Sequence, residues 1–333
     1  MEILKNLPSL LRKLMMTSGI SGREHAVREA ICELVAPYAD EITTDAIGNL
    51  VVRKKGQGKK VMFCAHMDEI GFFVNYITKD GFIKVGAVGG INTLAAAFTE
   101  VVSERGVYGV LVPESSKEKP EMDGLYIDIG AKSKKEAERR VKIGEFFVCK
   151  PSLRKLMGQR YVGRPFDDRV GCAVLIEALR NIKDCENDLY FVFSVQEEVG
   201  CRGARPAAFN VVPDYGICID VTGLGDKPGA SSMAVSMGEG CTIKLKDQSV
   251  ISSPELVKSI KALIKENGNI KCQDEVLLRG GTDASSMQVA GRGLQVTGIS
   301  IPSSNIHSSV EMVDLNDVCE AVKLVILISE KLK

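Results

Sequence analysis

Three apolar runs, each leading to a histidine or an acid, constrain the fold of this chain more than any other feature. Val61-Met62-Phe63-Cys64-Ala65 opens onto His66, Leu189 to Val195 onto Glu197-Glu198, and Tyr215-Gly216-Ile217-Cys218-Ile219 onto Asp220. Short, nearly continuous apolar segments of this kind read as buried strands. Buried strands that repeatedly release a polar group at their ends gather those groups along one edge of a sheet. Helical patterns alternate with these runs. Val170, Val174, Leu175, Ala178, Leu179 and Ile182 share one helical face, and Leu256, Val257, Ile260, Leu263 and Ile264 share another, opened by Pro254 and closed by Gly268. Gln295 to Ile301 predicts a further strand and Leu315 to Leu332 a last helix. The alternation predicts an α/β fold with a mixed, largely parallel sheet flanked by helices.

The N-terminal part begins that pattern. Leu4, Leu7, Leu11 and Leu14 recur at helical spacing, and Ser21-Gly22-Arg23-Glu24 has the spacing of a capping box opening a second helix. Glu41 to Arg53 and Lys60 to Ala65 read as strands, with Lys54 to Gly58 as a polar, hairpin-like turn between them. From residue 71 to 162 the texture changes to short alternating stretches broken by glycine, such as Phe72 to Thr78, Phe82 to Val85, Thr99 to Glu104, Val107 to Val112, Leu125 to Ile129 and Glu145 to Val148. Many short strands with turn signals predict a small β-barrel or sandwich. Ser133 to Arg140 predicts an exposed helix within it, and no candidate catalytic cluster falls there. The expected organisation is a discontinuous α/β domain, residues 1–70 and 163–333, carrying an inserted β-domain at 71–162.

Composition excludes several function classes. Lys plus Arg equals Asp plus Glu at 43 each, so no net field recruits nucleic acid or an anionic membrane. The apolar run Val322 to Ile328 is interrupted by Lys323 and too short to span a bilayer. The ten cysteines are scattered without a CxxC pair, as free thiols in a reducing compartment would be, and no signal-peptide pattern opens the chain; a cytoplasmic location is expected.

Only three histidines occur, and two stand where metal ligands would: His66, and His307 in Pro302-Ser303-Ser304-Asn305-Ile306-His307-Ser308-Ser309. Two divalent metals side by side need terminal histidines, terminal carboxylates and one shared carboxylate. His66, Asp167, Glu198, Asp220 and His307 can supply that set. Asp68 could take the other ring N–H of His66. Glu197 is placed to be a general base, taking a proton from a water that the metals acidify to a pKa of roughly 7 and passing it to the leaving group. Each residue also has a plainer reading. Asp167-Asp168 could N-cap the following helix, Asp220 could end its strand in a turn, and Glu197-Glu198 could be solvated surface. The plain readings do not explain why all of them border apolar runs or helix starts. His25 lies on a polar helix and receives no role.

Ala65-His66-Met67-Asp68-Glu69-Ile70-Gly71, Phe166-Asp167-Asp168-Arg169-Val170-Gly171, Gln196-Glu197-Glu198-Val199-Gly200, Gly280-Gly281-Thr282-Asp283-Ala284 and Ile306-His307-Ser308 together resemble the M42 family of metallo-aminopeptidases. These TET-type enzymes are also labelled endoglucanase M or FrvX-like. The resemblance runs in order over essentially the whole chain. It implies a co-catalytic zinc-peptidase α/β domain with an inserted PDZ-like β-barrel that serves oligomerisation and chamber formation. It implies two divalent metal ions, zinc or cobalt, with His66 and Asp220 on one, Glu198 and His307 on the other, and Asp167 bridging. Asp167 is the ligand of its pair because the first residue ligates in related enzymes, where the following peptide is cis. Glu197 would be the base and Asp68 the partner of His66. The implied activity is removal of N-terminal residues from short peptides by a homo-oligomer, a tetrahedral dodecamer or a dimer. Two segments depart from the family: Ser304-Asn305 stands where an Arg-Tyr pair is common, and Gly89 to Ala97 lacks the usual glutamine.

Two other functions are open to the sequence. A glycoside hydrolase would use two carboxylates and no metal, although 5% aromatic residues and no Trp suit a sugar-stacking cleft poorly. A catalytically inactive scaffold on the same fold would have no reason to keep Glu197. No G-x-S-x-G elbow and no Walker A or G-x-G-x-x-G motif points to serine-hydrolase or nucleotide chemistry.

Overall fold

The computed structural model describes residues 2–115, 120–183, 185–230 and 232–333. An eleven-stranded sheet runs in the order Glu41–Thr44, Leu50–Lys54, Asp188–Ser194, Lys60–His66, Tyr215–Thr222, Gln295–Ser304, Glu311–Asp314, Arg160–Arg164, Ser152–Lys155; Cys241–Lys246 pairs with Gln295–Ser304 as a branch, and Cys272–Val276 pairs with Cys241–Lys246. The four central strands, Asp188–Ser194 to Gln295–Ser304, are mutually parallel, so their carboxyl ends share one edge.

Side-chain alternation along Lys60–His66 explains the two helical layers. Val61, Phe63 and Ala65 enter a core with Leu7, Val174, Phe191, Ile219 and Val322. Met62 and Cys64 enter a smaller core with Ala204, Ala208, Cys218 and Met287. Helix Arg169–Asn181 is buried on every side from Arg169 to Leu179, because it lies between the sheet and the outer helices Glu2–Met15 and Leu315–Lys331. Truncating one of its leucines would cost about 2–5 kcal/mol.

The chain reverses earlier than the sequence predicts. Asp45 Oδ1 accepts from the amides of Gly48 and Asn49 at 3.0 and 2.9 Å, and Gly48 adopts φ +113°. Glu41 to Arg53 is therefore two antiparallel strands joined by a glycine turn. The polar segment after Lys54 is not a hairpin, because Asp188–Ser194 lies between Leu50–Lys54 and Lys60–His66. Its glycines instead fit against the entry to that strand: Gln57 and Gly58 amides donate to Glu186 O at 2.8 and 2.6 Å. A Cβ on Gly56 would stand 2.1 Å from Asn187 O.

A closed antiparallel barrel runs Gly71–Ile77, Ile83–Val88, Leu125–Asp128, Tyr108–Pro113, Thr99–Ser103, Phe146–Cys149. Its own core includes Phe72, Val74, Val101, Leu111, Ile127 and Phe147. Strand Ser152–Lys155 falls inside the 71–162 segment of the sequence reading and Arg160–Arg164 straddles its end, yet both pair into the large sheet through Glu311–Asp314. Leu153 and Tyr161 pack in the large core, which is why they leave the barrel. Among the described residues, no helix is long and apolar enough to cross a membrane.

Candidate metal centre

Strand register brings the predicted residues to one edge. Ser194 pairs with His66, which carries Glu197 and Glu198 just past that level. Cys218 pairs with Cys64, so Asp220 and His66 each stand two residues further on. Asp167 arrives on the turn between Arg160–Arg164 and helix Arg169–Asn181, and the peptide after it is cis. His307 arrives on the loop after Gln295–Ser304 with φ +63°.

Asp167 lies at the middle of the set. Its Oδ1 is 3.1 Å from His66 Nε2, and its Oδ2 is 3.2 Å from His307 Nε2. Glu198 Oε2 is 3.1 Å from His307 Nε2, and Asp220 Oδ1 is 3.9 Å from His66 Nε2. Asp168 also borders His66 and Asp220. Its oxygens are engaged, however: Oδ1 accepts from Gly171 N at 3.0 Å and Oδ2 from His66 N at 3.3 Å. The helix cap that the sequence allowed for this pair is thus Asp168, and Asp167 faces the histidines. A Cβ at Gly171 would lie 2.3 Å from Asp168 Oδ2, so the cap needs glycine there.

Both histidines are oriented by carbonyls. His66 Nδ1 is 3.1 Å from Asp68 O, and His307 Nδ1 is 2.8 Å from Gly90 O. Donation from Nδ1 leaves Nε2 on each ring facing the carboxylates. The Asp68 carboxylate is 3.4 Å from His66 Nδ1, longer than the carbonyl contact. It is spent mainly elsewhere, accepting from Glu197 N at 2.9 Å, Glu198 N at 3.2 Å and Ser21 Oγ at 2.6 Å. Ser21 consequently does not cap a helix: His25–Val35 begins without a side-chain cap, and Glu24 Oε1 accepts from Gly22 N and Gln196 N at 2.8 and 3.1 Å. A wholly buried carboxylate demands donors more than a solvated helix end does, and that demand decides the contest. His25 is exposed.

Four supporting residues carry no role in the sequence reading. Glu311 is buried; its Oε2 accepts from Phe166 N at 2.6 Å and Asp167 N at 3.2 Å, and its Oε1 from His307 N at 3.2 Å. Buried Arg164 donates to Ile70 O and Ser308 O at 3.0 and 3.1 Å, and Arg169 donates to Met67 O at 2.7 Å and to the Leu14 and Thr17 carbonyls. Gly90 belongs to the inserted segment, where no catalytic cluster is expected from the sequence. An acid directly before apolar Met312-Val313 was the available signal for Glu311; a carbonyl leaves none.

The charge balance of the cluster tests its fitness for cations. Burial raises the carboxyls of Glu197, Glu198, Asp220 and Asp168 above their ordinary range, reinforced by neighbouring carboxylates. Asp167 is the exception: burial would raise it, but hydrogen bonds from His307 and His66 hold it low. Burial opposes a charge on His307, yet Asp167 and Glu198 push it up to about 11, and Asp167 and Asp68 likewise hold His66 well above its ordinary value. The group therefore collects protons wherever it can, as a surplus of buried negative charge must. Glu198 Oε1 is buried with no hydrogen-bond partner among the described residues. Imidazole and carboxylate donors with such a charge deficit fit divalent cations.

A cavity of about 820 Å³ opens over the cluster, and its wall away from the histidines includes Ser249, Leu277, Arg279 and Val289. The sequence profile described as M42 glutamyl aminopeptidase matches residues 48–324. The chain belongs to the M42 peptidase family. A protein of Acetivibrio thermocellus is 42% identical over 320 residues, covering 95% of this chain and 96% of its own. The lysyl aminopeptidase of Pyrococcus furiosus is 36% identical over 339 residues, with 97% of each chain covered. The Pyrococcus horikoshii TET1 peptidase, described as assembling into a tetrahedron or a large octahedral shell, superposes with a TM-score of 0.89 at 36% identity, over 97% of this chain and 99% of its own. As an M42 enzyme the chain is a peptide hydrolase of the aminopeptidase class, and the family implies a divalent metal.

Proposed function

We propose that this M42 peptidase removes N-terminal residues from short peptides at a dinuclear metal centre, with Glu197 as general base. The observation that carries the reading is the Asp167 carboxylate, whose two oxygens face two different histidines. His66 and Asp220 would hold one ion, Glu198 and His307 the other, and Asp167 both. Two zinc or cobalt ions held there would supply Lewis acidity toward a water and the scissile carbonyl. Glu197 takes the proton of the attacking water and returns it to the leaving amine. Asp68 fixes the backbone of Glu197 and Glu198 and so aims the base. Arg279 is the one Lys or Arg side chain lining the cavity among the described residues, so acidic first residues should be favoured over lysine.

The barrel is the assembly unit and the large sheet with its helices the catalytic unit. Phe73, Tyr76, Tyr108 and Val110 are exposed on the barrel, which supports a homo-oligomer, either a tetrahedral dodecamer or a dimer. The ten unpaired cysteines suit the cytoplasm. The test is hydrolysis of aminoacyl p-nitroanilides by EDTA-stripped protein, with and without Co²⁺ or Zn²⁺, with light scattering for mass. Metal-dependent cleavage that N-acetylation abolishes is expected; cleavage that survives EDTA would overturn the metal reading and favour metal-free chemistry.

A further inference from the structure

A second donor cluster adjoins the centre and shares only Glu197 with it. Glu197, Cys201 and Asp283 each offer a ligand atom, all within 4.8 Å of one another. Cys201 Sγ lies 3.2 Å from Glu197 Oε1 and borders the cavity, so a solute can reach it. Asp283 is 1% exposed. Its Oδ2 accepts from Ser194 Oγ at 2.5 Å and Cys64 Sγ at 3.5 Å, whereas its Oδ1 is buried with no hydrogen-bond partner among the described residues. A buried carboxylate oxygen left without a donor is costly, and a cation relieves that cost.

We propose that Glu197, Cys201 and Asp283 form a third, inhibitory cation site that takes zinc or another thiophilic divalent ion. The sulfur ligand sets the selectivity: thiolate favours zinc and cobalt, while magnesium and calcium prefer oxygen alone. On binding, the thiol proton of Cys201 passes to solvent and a metal–sulfur bond replaces the S–H···O contact with Glu197. The Glu197 carboxylate, once engaged by a cation, no longer accepts a proton from water. Inhibition therefore rests on the reading of Glu197 as base; binding does not.

The test titrates the EDTA-treated full chain with Co²⁺ and follows its spectrum. Beyond two equivalents a third should bind, with a thiolate-to-cobalt charge-transfer band in the near ultraviolet. Cys201→Ser and Cys201→Ala should lose that band while keeping the visible cobalt bands of the first two equivalents, which also reports that they fold. Excess zinc should suppress the peptidase rate of the wild type, and the inhibitory concentration, each protein scaled to its own uninhibited rate, should rise about tenfold or more in Cys201→Ser. Excess magnesium should not inhibit. No third equivalent in the wild type, or a band that persists in both Cys201 variants, overturns the site. A band without zinc inhibition keeps the site and overturns Glu197 as the base instead.

Discussion

The two halves of the centre are built differently. His66 is 2% exposed at the end of a central strand, with its ring nitrogen bonded to a carbonyl two residues away. The His307 side chain is 29% exposed, on a loop residue of positive φ, and is held by Glu311 and by Gly90 of the inserted segment. Sheet register places the first half; contacts between distant segments place the second. The first half should therefore be the stiffer, and the second the one that yields to mutation and chelation.

That contrast can be broken at its shared point. Asp167→Ala removes the one group common to both halves, so both cations should leave and turnover should fall below about one ten-thousandth of wild type; retention of one tightly held metal, measured by elemental analysis, would show the halves to be independent. Glu197→Gln belongs to neither half: the rate should fall about 10²–10⁴-fold, while metal content measured on the same sample stays unchanged. Glu311→Gln should weaken the His307 half most, by about 10–100-fold in metal affinity, because Glu311 holds the backbone of both His307 and Asp167; dialysis against graded chelator should then show one ion lost before the other. Acidification should act in the same order. Since ligation requires neutral imidazoles, protons compete with the metals as pH falls, and the more exposed His307 site should empty first, visible as stepwise loss of cobalt absorbance. Gly90→Ala should have the smallest effect, a several-fold rise in KM or fall in metal affinity, because the added Cβ would stand 3.2 Å from His307 Nδ1 and need only displace the ring slightly.

What could be read from the chain follows the same division. His66, Glu197-Glu198 and Asp220 were legible because each borders an apolar strand, and strand direction alone gathers them. His307 was found from its rarity and from the resemblance, but what holds it was not, since Gly90 O and Glu311 lie far from one another in sequence and one is a backbone atom. Ser21 and Glu24 were misread as a helix cap because a local pattern carries no information about a buried Asp68 that competes for the same hydroxyl. The Asp45 to Asn49 turn was overlooked because Ala46 and Ile47 make it look strand-like, although Gly48 marks it. The barrel strands were legible one by one. The return of Ser152–Lys155 to the large sheet was not, because a short alternating strand does not say which sheet it joins.

The hydrogen bond from His307 to Gly90 ties the centre to the inserted barrel. One ring nitrogen is fixed by a peptide group that hangs from the barrel, so the large sheet shares control of its second histidine with the inserted segment. A barrel tilted by a neighbouring subunit would rotate that ring without disturbing a single strand of the sheet. Subunit packing and chemistry would then be read out on one lever, with Gly90 as its fulcrum.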